Sequence, residues 1–225
     1  MFGNMNCKNV IVILAGGIGE RYCADTPKQF SLICGKEVLA YSLEEMKKVQ
    51  SANKVIVVLN NDKKEIERIK KTYEVEVIAG GKDRAHSFQN ALTYVINKYR
   101  NCEKIVFHEA ARPLVKSKVI DYYFELLDSY DYVESCKQIT DSLGSYVAKA
   151  PRREDYFLIQ APEAYKISVL KQYYDSESPI YFAANQFPDF VKGYQYFDVE
   201  NNIKLTTKED RAIIEYILKN SYMKN

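Results

Sequence analysis

Apolar residues in the first 130 positions follow two alternating rhythms. Val10 to Leu14, Val55 to Leu59, Val75 to Ile78 and Ile105 to His108 are short, nearly unbroken runs rich in β-branched side chains. Such runs suit strands buried on both faces, as in a parallel sheet. Between them the apolar residues recur at helical spacing. Val38, Leu39, Leu43, Met46 and Val49 predict a helix over Lys36 to Val49. Asn61 or Asp62 caps a charged helix running to about Tyr73, and further helices follow from Ser87 to about Tyr99 and from Lys118 to about Asp128. Strand–helix alternation of this kind predicts an α/β fold with a mainly parallel sheet and ligands at its carboxyl edge.

The pattern then changes. Tyr132 to Ile139 alternates and predicts a half-buried strand; short strands follow at Tyr146 to Ala148 and Tyr156 to Gln160. Gln138 to Tyr156 therefore predicts a protruding β-arm. Its exposed edges need a cover, and a symmetric dimer in which two arms embrace supplies one. Pro162 to Tyr174 is expected to be helical, Gln195 to Val199 a strand, and Lys208 to Asn220 a closing helix. No linker or repeat divides the chain, so residues 1–225 predict a single domain with the arm at 138–156.

Chemistry clusters just past the predicted strands. The first run opens into Ala15-Gly16-Gly17-Ile18-Gly19, followed by Arg21 and by Pro27-Lys28-Gln29. Glycines let a ligand approach the main chain. Amide donors backed by two mobile cations are what a triphosphate requires. Two common phosphate motifs are excluded. In a GxGxxG reading begun at Gly17 the third glycine is Tyr22; in a phosphate-loop reading of Gly35-Lys36, Phe30 and Glu37 stand where Gly and Ser/Thr belong. Later turns carry Gly80-Gly81-Lys82-Asp83-Arg84 with Ser87, and His108-Glu109-Ala110-Ala111-Arg112-Pro113. A double glycine can lie against a flat pyrimidine, and the Ser87 hydroxyl can bond a base edge or ribose. A carboxylate such as Glu109 facing phosphate oxygens calls for a cation between them, and Mg²⁺ is the usual one.

Composition narrows the classes. A net charge of +2 implies neither nucleic acid nor an anionic membrane as partner. No long apolar run or secretory signal is evident, so a cytoplasmic location is expected. The five cysteines, Cys7, Cys23, Cys34, Cys102 and Cys136, form no CxxC pair or Cys/His cluster, which argues against structural zinc and a disulfide framework.

Taken together and in order, these motifs resemble the cytidylyltransferases of the methylerythritol-phosphate and ribitol-phosphate type. AGGxGxR followed by PKQ resembles the family's signature loop, GGKDR with Ser87 its GGxxRxxS, and HEAARP its HDAARP. Gln160-Ala161-Pro162-Glu163 preceded by Arg152-Arg153 resembles R…QTPQ, and Asn202-Ile203-Lys204-Leu205-Thr206 resembles NIKxT. The resemblance implies a single three-layer nucleotidyltransferase domain, glycosyltransferase-A-like, with a mainly parallel Rossmann-like sheet and a protruding arm. It implies transfer of a cytidylyl group from CTP to a small polyol phosphate, with Mg²⁺ as cofactor. On that basis Arg21, Lys28 and Lys204 are the catalytic cations. Ala15, Gly16, Gly17, Gly19, Gly80, Gly81, Asp83, Ser87, Arg112, Ser142 and Arg153 bind substrate, with Arg153 reaching the second substrate's phosphate across a homodimer. Glu109 and Glu200 are the metal carboxylates.

Three departures bear on the second substrate. Glu109 replaces the family's Asp, Ala161 its Thr, and SPIYFAANQF stands where TDDA is expected. They favour an activated polyol such as CDP-ribitol or CDP-glycerol for a surface polymer over methylerythritol phosphate for isoprenoids. A sugar-1-phosphate nucleotidyltransferase and a non-catalytic nucleotide-binding protein are the remaining readings.

Overall fold

A computed structural model describes residues 7–17, 26–147, 149, 152–180 and 182–222, with residues 221 and 222 described without their side chains. Strands β1 (Asn9–Leu14), β4 (Lys54–Leu59), β5 (Glu76–Ala79) and β6 (Lys104–Glu109) form the parallel half of a seven-stranded sheet. Strands β7 (Tyr132–Gln138), β8 (Phe157–Lys166) and β9 (Gly193–Tyr196) complete it in the order β5-β4-β1-β6-β8-β7-β9. β8 runs antiparallel to both of its neighbours, and β9 returns parallel to β7.

Side-chain alternation along β1 builds the layers. Ile11 and Ile13 pack with Leu39, Leu43 and Met46 of α1 (Val38–Met46), Ile69 of α2 (Lys63–Tyr73), and Ile120, Tyr123 and Phe124 of α4 (Ser117–Leu126). Val10 and Val12 face the other way, against Phe88, Leu92 and Val95 of α3 (Arg84–Lys98) and Ile167 and Leu170 of α5 (Ile167–Tyr173). A third cluster seats the closing helix α6 (Lys208–Tyr222) through Ile214 and Leu218 on Val38, Leu114 and Leu205. Each fully buried side chain of this size contributes about 1.5–3 kcal/mol. The two apolar layers therefore hold the edge loops in place despite the charges those loops carry. The architecture is the expected three-layer α/β domain.

Three elements differ from the sequence expectation. Lys36 and Glu37 are not helical: they form β3 (Lys36–Glu37), hairpinned with β2 (Leu32–Ile33) through Cys34 and Gly35, both at positive φ. Pro162 to Lys166 is strand rather than helix, and only Ile167–Tyr173 is helical. A proline inside a central strand normally removes a ladder bond. Here the β7–β8 register shifts between Glu134 and Ser135, a bulge beside Pro162 where the missing N–H is harmless. The Ser135 hydroxyl donates instead to the Pro162 carbonyl at 2.6 Å. Finally, β7 and β8 pair only as far as Gln138 and Phe157, and no strand forms among the described residues between them. Tyr146 and Val147 stand almost fully exposed there, while Ala148 lies outside the described residues. A two-residue apolar segment with nothing to pack on gains nothing from extending the ladder.

Candidate active site

Loops from the carboxyl ends of β1, β5 and β6, with the segment before α6, enclose a cleft of about 320 Å³. Ala15, Gly16, Gly17, Lys28, Gly81, Asp83, Ser87, Glu109 and Lys204 all line it, joined by Gln29, Lys82 and Arg84.

The β1 loop is pinned by the Ala15 amide, which donates to the Val58 carbonyl at 2.8 Å. Gly16 sits in tight space: a β-carbon there would lie 3.2 Å from the Asn60 nitrogen. Lys28 opens the 3-10 turn Lys28–Phe30, whose carbonyl accepts from the Ser31 hydroxyl at 2.7 Å. Gly19 and Arg21 lie outside the described residues.

The turn after β5 is tighter. A β-carbon at Gly80 would meet the Ser87 hydroxyl at 2.7 Å, and one at Gly81 would lie 2.3 Å from the His86 β-carbon. The Ser87 oxygen accepts from the Gly81 amide at 3.1 Å, so its hydroxyl remains able to donate. Asp83 caps α3, accepting from the His86 amide at 2.9 Å. That bond, then the His86 ring, holds the Asp83 carboxyl below its usual range.

Glu109 is the electrostatic centre. Lys204 Nζ lies 2.8 Å from its Oε2, Arg112 Nε 3.3 Å from the same oxygen, and Arg84 Nε 3.4 Å from Oε1. Burial alone would raise the Glu109 carboxyl, but Lys204, Arg112 and Arg84 together hold it down at about 2. It is therefore a carboxylate at every physiological pH. Lys204 is delivered by a stapled segment. The Leu205 amide donates to the Ala111 carbonyl at 2.8 Å, and Asn202 donates through Nδ2 to the Ala161 carbonyl at 2.9 Å. Past it, the Thr206 and Thr207 amides each donate to Asp210 at 2.8 Å, fixing the start of α6.

His108 is no base. It is fully buried, with Nε2 3.3 Å from the Ser42 hydroxyl. Burial and then the Arg112 charge push its imidazole down to about 4.

Several sequence-predicted residues sit elsewhere. Arg112 does not line the cleft: it is buried beneath it, donating from Nη1 to the Asn202 carbonyl at 2.9 Å. Its role within this chain is to brace the Lys204 segment. Glu200 lines a separate cleft with Asp198, Lys116 and Lys118. Ser142 and Arg153 lie exposed in the segment between β7 and β8, where Arg153 donates to the Thr140 carbonyl and pairs with Glu154 at 3.1 Å. Conversely, Arg84, the arginine of the GGxxRxxS-like turn, and its partner Glu163, the last residue of the QTPQ-like stretch, are motif positions to which the sequence reading gives no role of their own. A signal existed for Arg84. It is the first residue of α3, where a cation opposes the helix dipole and needs carboxylate neighbours.

The arrangement suits one kind of chemistry. Backbone amides and cations converge on a narrow cleft, so it can hold a polyphosphate and stabilise charge that develops on it. Among the described residues no group of three or more metal-ligating side chains is present. One ionised carboxylate does fit an Mg²⁺ ion that is bound mainly by substrate phosphates and water. Among the described residues no helix is long and apolar enough to cross a membrane. Cys7, Cys34, Cys102 and Cys136 are all free thiols.

Comparison with known proteins agrees with this geometry. The family model described as 2-C-methyl-D-erythritol 4-phosphate cytidylyltransferase matches residues 9–220. A protein of that name from Thermosipho melanesiensis is 30% identical over 92% of this chain and 96% of its own length. The bifunctional ribulose 5-phosphate reductase/CDP-ribitol pyrophosphorylase of Haemophilus influenzae is 32% identical over 75% of this chain, but over 38% of its own length. The crystal structure of 4-diphosphocytidyl-2C-methyl-D-erythritol synthase from Anaerococcus prevotii shares the fold, with a TM-score of 0.76 at 20% identity over 95% of this chain and 97% of that one. With strand order, cleft and motifs in agreement, this chain belongs to the 2-C-methyl-D-erythritol 4-phosphate cytidylyltransferase family and is a nucleotidyltransferase of the cytidylyltransferase class.

Proposed function

We propose that the chain transfers a cytidylyl group from CTP to 2-C-methyl-D-erythritol 4-phosphate, releasing pyrophosphate. A phosphate oxygen of the acceptor attacks the α-phosphorus of CTP, and the bond from that phosphorus to the β-phosphate bridging oxygen breaks. The acceptor phosphate is already largely ionised at neutral pH, so no general base is needed. His108, at the end of β6, is buried away from the cleft and does not serve as one. Catalysis is then positioning and charge stabilisation.

The observation that carries the reading is the convergence of Lys28, Lys82, Arg84 and Lys204 with the Ala15–Gly17 backbone around the buried, ionised Glu109 carboxylate. Lys28 and the loop amides take the triphosphate; the Gly80–Gly81 turn and Ser87 take the pyrimidine; Lys204 takes the incoming phosphate. Mg²⁺ neutralises phosphate charge when bound, and Glu109 is the residue to orient it. Arg153 serves a second copy of the chain in a homodimer built on the β7–β8 segment. The exposed Tyr146, Val147, Tyr156, Phe157 and Leu158 support such an interface.

A second reading keeps ribitol 5-phosphate as acceptor, on the likeness to the Haemophilus enzyme and on the departures at Glu109, Ala161 and residues 178–187. More of the similar proteins carry the methylerythritol name, with fuller coverage, so that acceptor is placed first. The test is CTP with each polyol phosphate, reading pyrophosphate release and product mass. Turnover with methylerythritol phosphate at least tenfold above ribitol phosphate is expected. The reverse ratio would transfer the assignment to the second reading, and turnover with neither would remove both.

A further inference from the structure

The side chains of Glu163, Arg84 and Phe182 form a stack beneath the cleft that the motif reading does not use. Glu163 lies on β8 opposite Phe107 of β6 and opposite Glu134 of β7, with its side chain wholly buried. One of its oxygens pairs with Arg84 Nη2, and the other accepts from the Tyr165 hydroxyl at 2.5 Å. Arg84 in turn lines the cleft, with its guanidinium 5.0 Å from the centre of the Phe182 ring and its Nε 3.4 Å from Glu109.

We propose that Glu163 is a positioning residue for cytidylyl transfer, clamping Arg84 at the cleft floor so that its charge faces the reacting phosphates without collapsing onto Glu109. The inference rests on the nucleotidyltransferase reading of the cleft. Three observations support it. A buried ion pair rarely stabilises a fold better than apolar side chains would. Arg84 also opposes the α3 dipole, so this pair is poorly explained by stability alone. Next, Arg84 is gripped from three directions by a carboxylate, a ring and Glu109, which leaves it little rotational freedom. A charge held in place before substrate arrives needs no reorganisation during reaction. Last, Glu109 already faces Lys204 and Arg112 at 2.8 and 3.3 Å. Glu163 gives the third cation an anion of its own and keeps its Nε contact to Glu109 the loosest of the three. The neighbouring acid does not compete for Arg84: burial, and Glu163 itself, raise the Glu134 carboxyl, which accepts from Gln195 at 3.2 Å instead.

The test is Glu163→Gln, which keeps shape and removes charge, measured beside Arg84→Gln and the double variant. With the fold confirmed by circular dichroism, E163Q is expected to lower kcat tenfold to a hundredfold, in the range for a displaced catalytic group, with KM for CTP changed less than threefold. In the R84Q background, E163Q is expected to change kcat less than twofold and to raise Tm, because it removes an orphaned buried charge. Wild-type kcat within twofold in E163Q, or an equal loss in both backgrounds, would overturn the proposal. If E163Q alone does not fold, the double variant against R84Q decides by the same criterion. A wild-type chain without CTP-dependent turnover removes the reaction reading, and the positioning role with it.

Discussion

The two halves of the sheet do different work. In β5-β4-β1-β6 every strand is parallel, so every carboxyl end and the loop after it fall on one edge. Most of the cleft comes from those loops: Ala15 to Gly17 after β1, Gly81 to Ser87 after β5, and Glu109 to Ala111 after β6. In β8-β7-β9 the directions are mixed and loops exit at both edges. That half contributes supports, Glu163 under Arg84 and the Ala161 carbonyl under Asn202, and the exposed segment between β7 and β8. Parallel strands gather chemistry at one place; mixed strands brace it and reach outward. The halves should therefore fail differently. Damage to the first should remove turnover, and damage to the second should alter geometry, acceptor binding or assembly.

The largest effect is expected at Lys28, on the parallel side. Lys28→Ala should lower turnover about 100-fold or more, by analogy with loss of one oxyanion donor, with the melting temperature nearly unchanged. Steady-state kinetics beside a thermal melt checks this, and near-normal turnover would remove Lys28 from the site. Glu109→Gln comes next and should affect both activity and fold. The side chain is only 14% exposed and compensates Lys204, Arg112 and Arg84. Breaking such a group costs about 3 kcal/mol, or roughly 10 °C in Tm for a chain of this size. The sign with pH follows from its depressed carboxyl. Its stabilisation is complete above the ordinary carboxylate value and is lost only as pH falls through about 2. Acid melts of wild type and E109Q should therefore converge as pH drops below about 4. A constant gap down to pH 2 would contradict the ion network.

The same contrast governs what could be read from sequence. The parallel strands are legible to within about two residues, because a strand covered on both faces is apolar throughout and needs no knowledge of its neighbours. Asp62 is visible as a cap for a similarly local reason: its side chain accepts from amides two and three residues away. The second half depends on distant partners. Ala161-Pro162 looks like a helix start, since proline favours the first helical position. Only its pairing with β7, where Ala161 and Pro162 bulge between the paired Gln160 and Glu163, reveals it as strand. The Arg84–Glu163 pair spans 79 residues, and no local spacing joins them. Lys204 was found only through its motif; its contact with Glu109 comes from the long-range staple to Ala111 and Ala161.

On the arm, a moderate and selective effect is expected. Replacing residues 140–152 with a short turn should leave CTP affinity within about twofold, because none of the described residues there lines the cleft. If two copies share a site through Arg153, the same change should raise KM for the acceptor about tenfold, as loss of a charged hydrogen bond would. It should also convert a dimer to a monomer in sedimentation. A monomeric wild type with normal acceptor KM would confine the site to one chain.

The smallest effect sits where the second half touches the Gly80–Gly81 turn. His86 Nδ1 lies 2.7 Å from Asp83, and Nε2 lies 2.6 Å from Glu177 on the segment after α5. Neutral imidazole has one N–H, so both contacts are satisfied only by the imidazolium. Asp83 and then Glu177 raise the His86 pKa, while nearby Lys82, itself 3.7 Å from Glu177, works against them. A raised histidine pKa gives stability that is complete below about 6.5 and lost as pH rises through the folded value. The Glu177 contact should therefore hold the turn at pH 6 and loosen as pH rises through that raised value. The groups are exposed and screened, so KM for CTP should rise less than threefold between pH 6 and 8.5, and His86→Asn should flatten that rise. A ring titration by NMR gives the direct measure. A His86 pKa above about 6.5 that falls in Glu177→Gln supports the link, and an unshifted value in wild type would mean that residues 175–187 sit beside the turn without holding it.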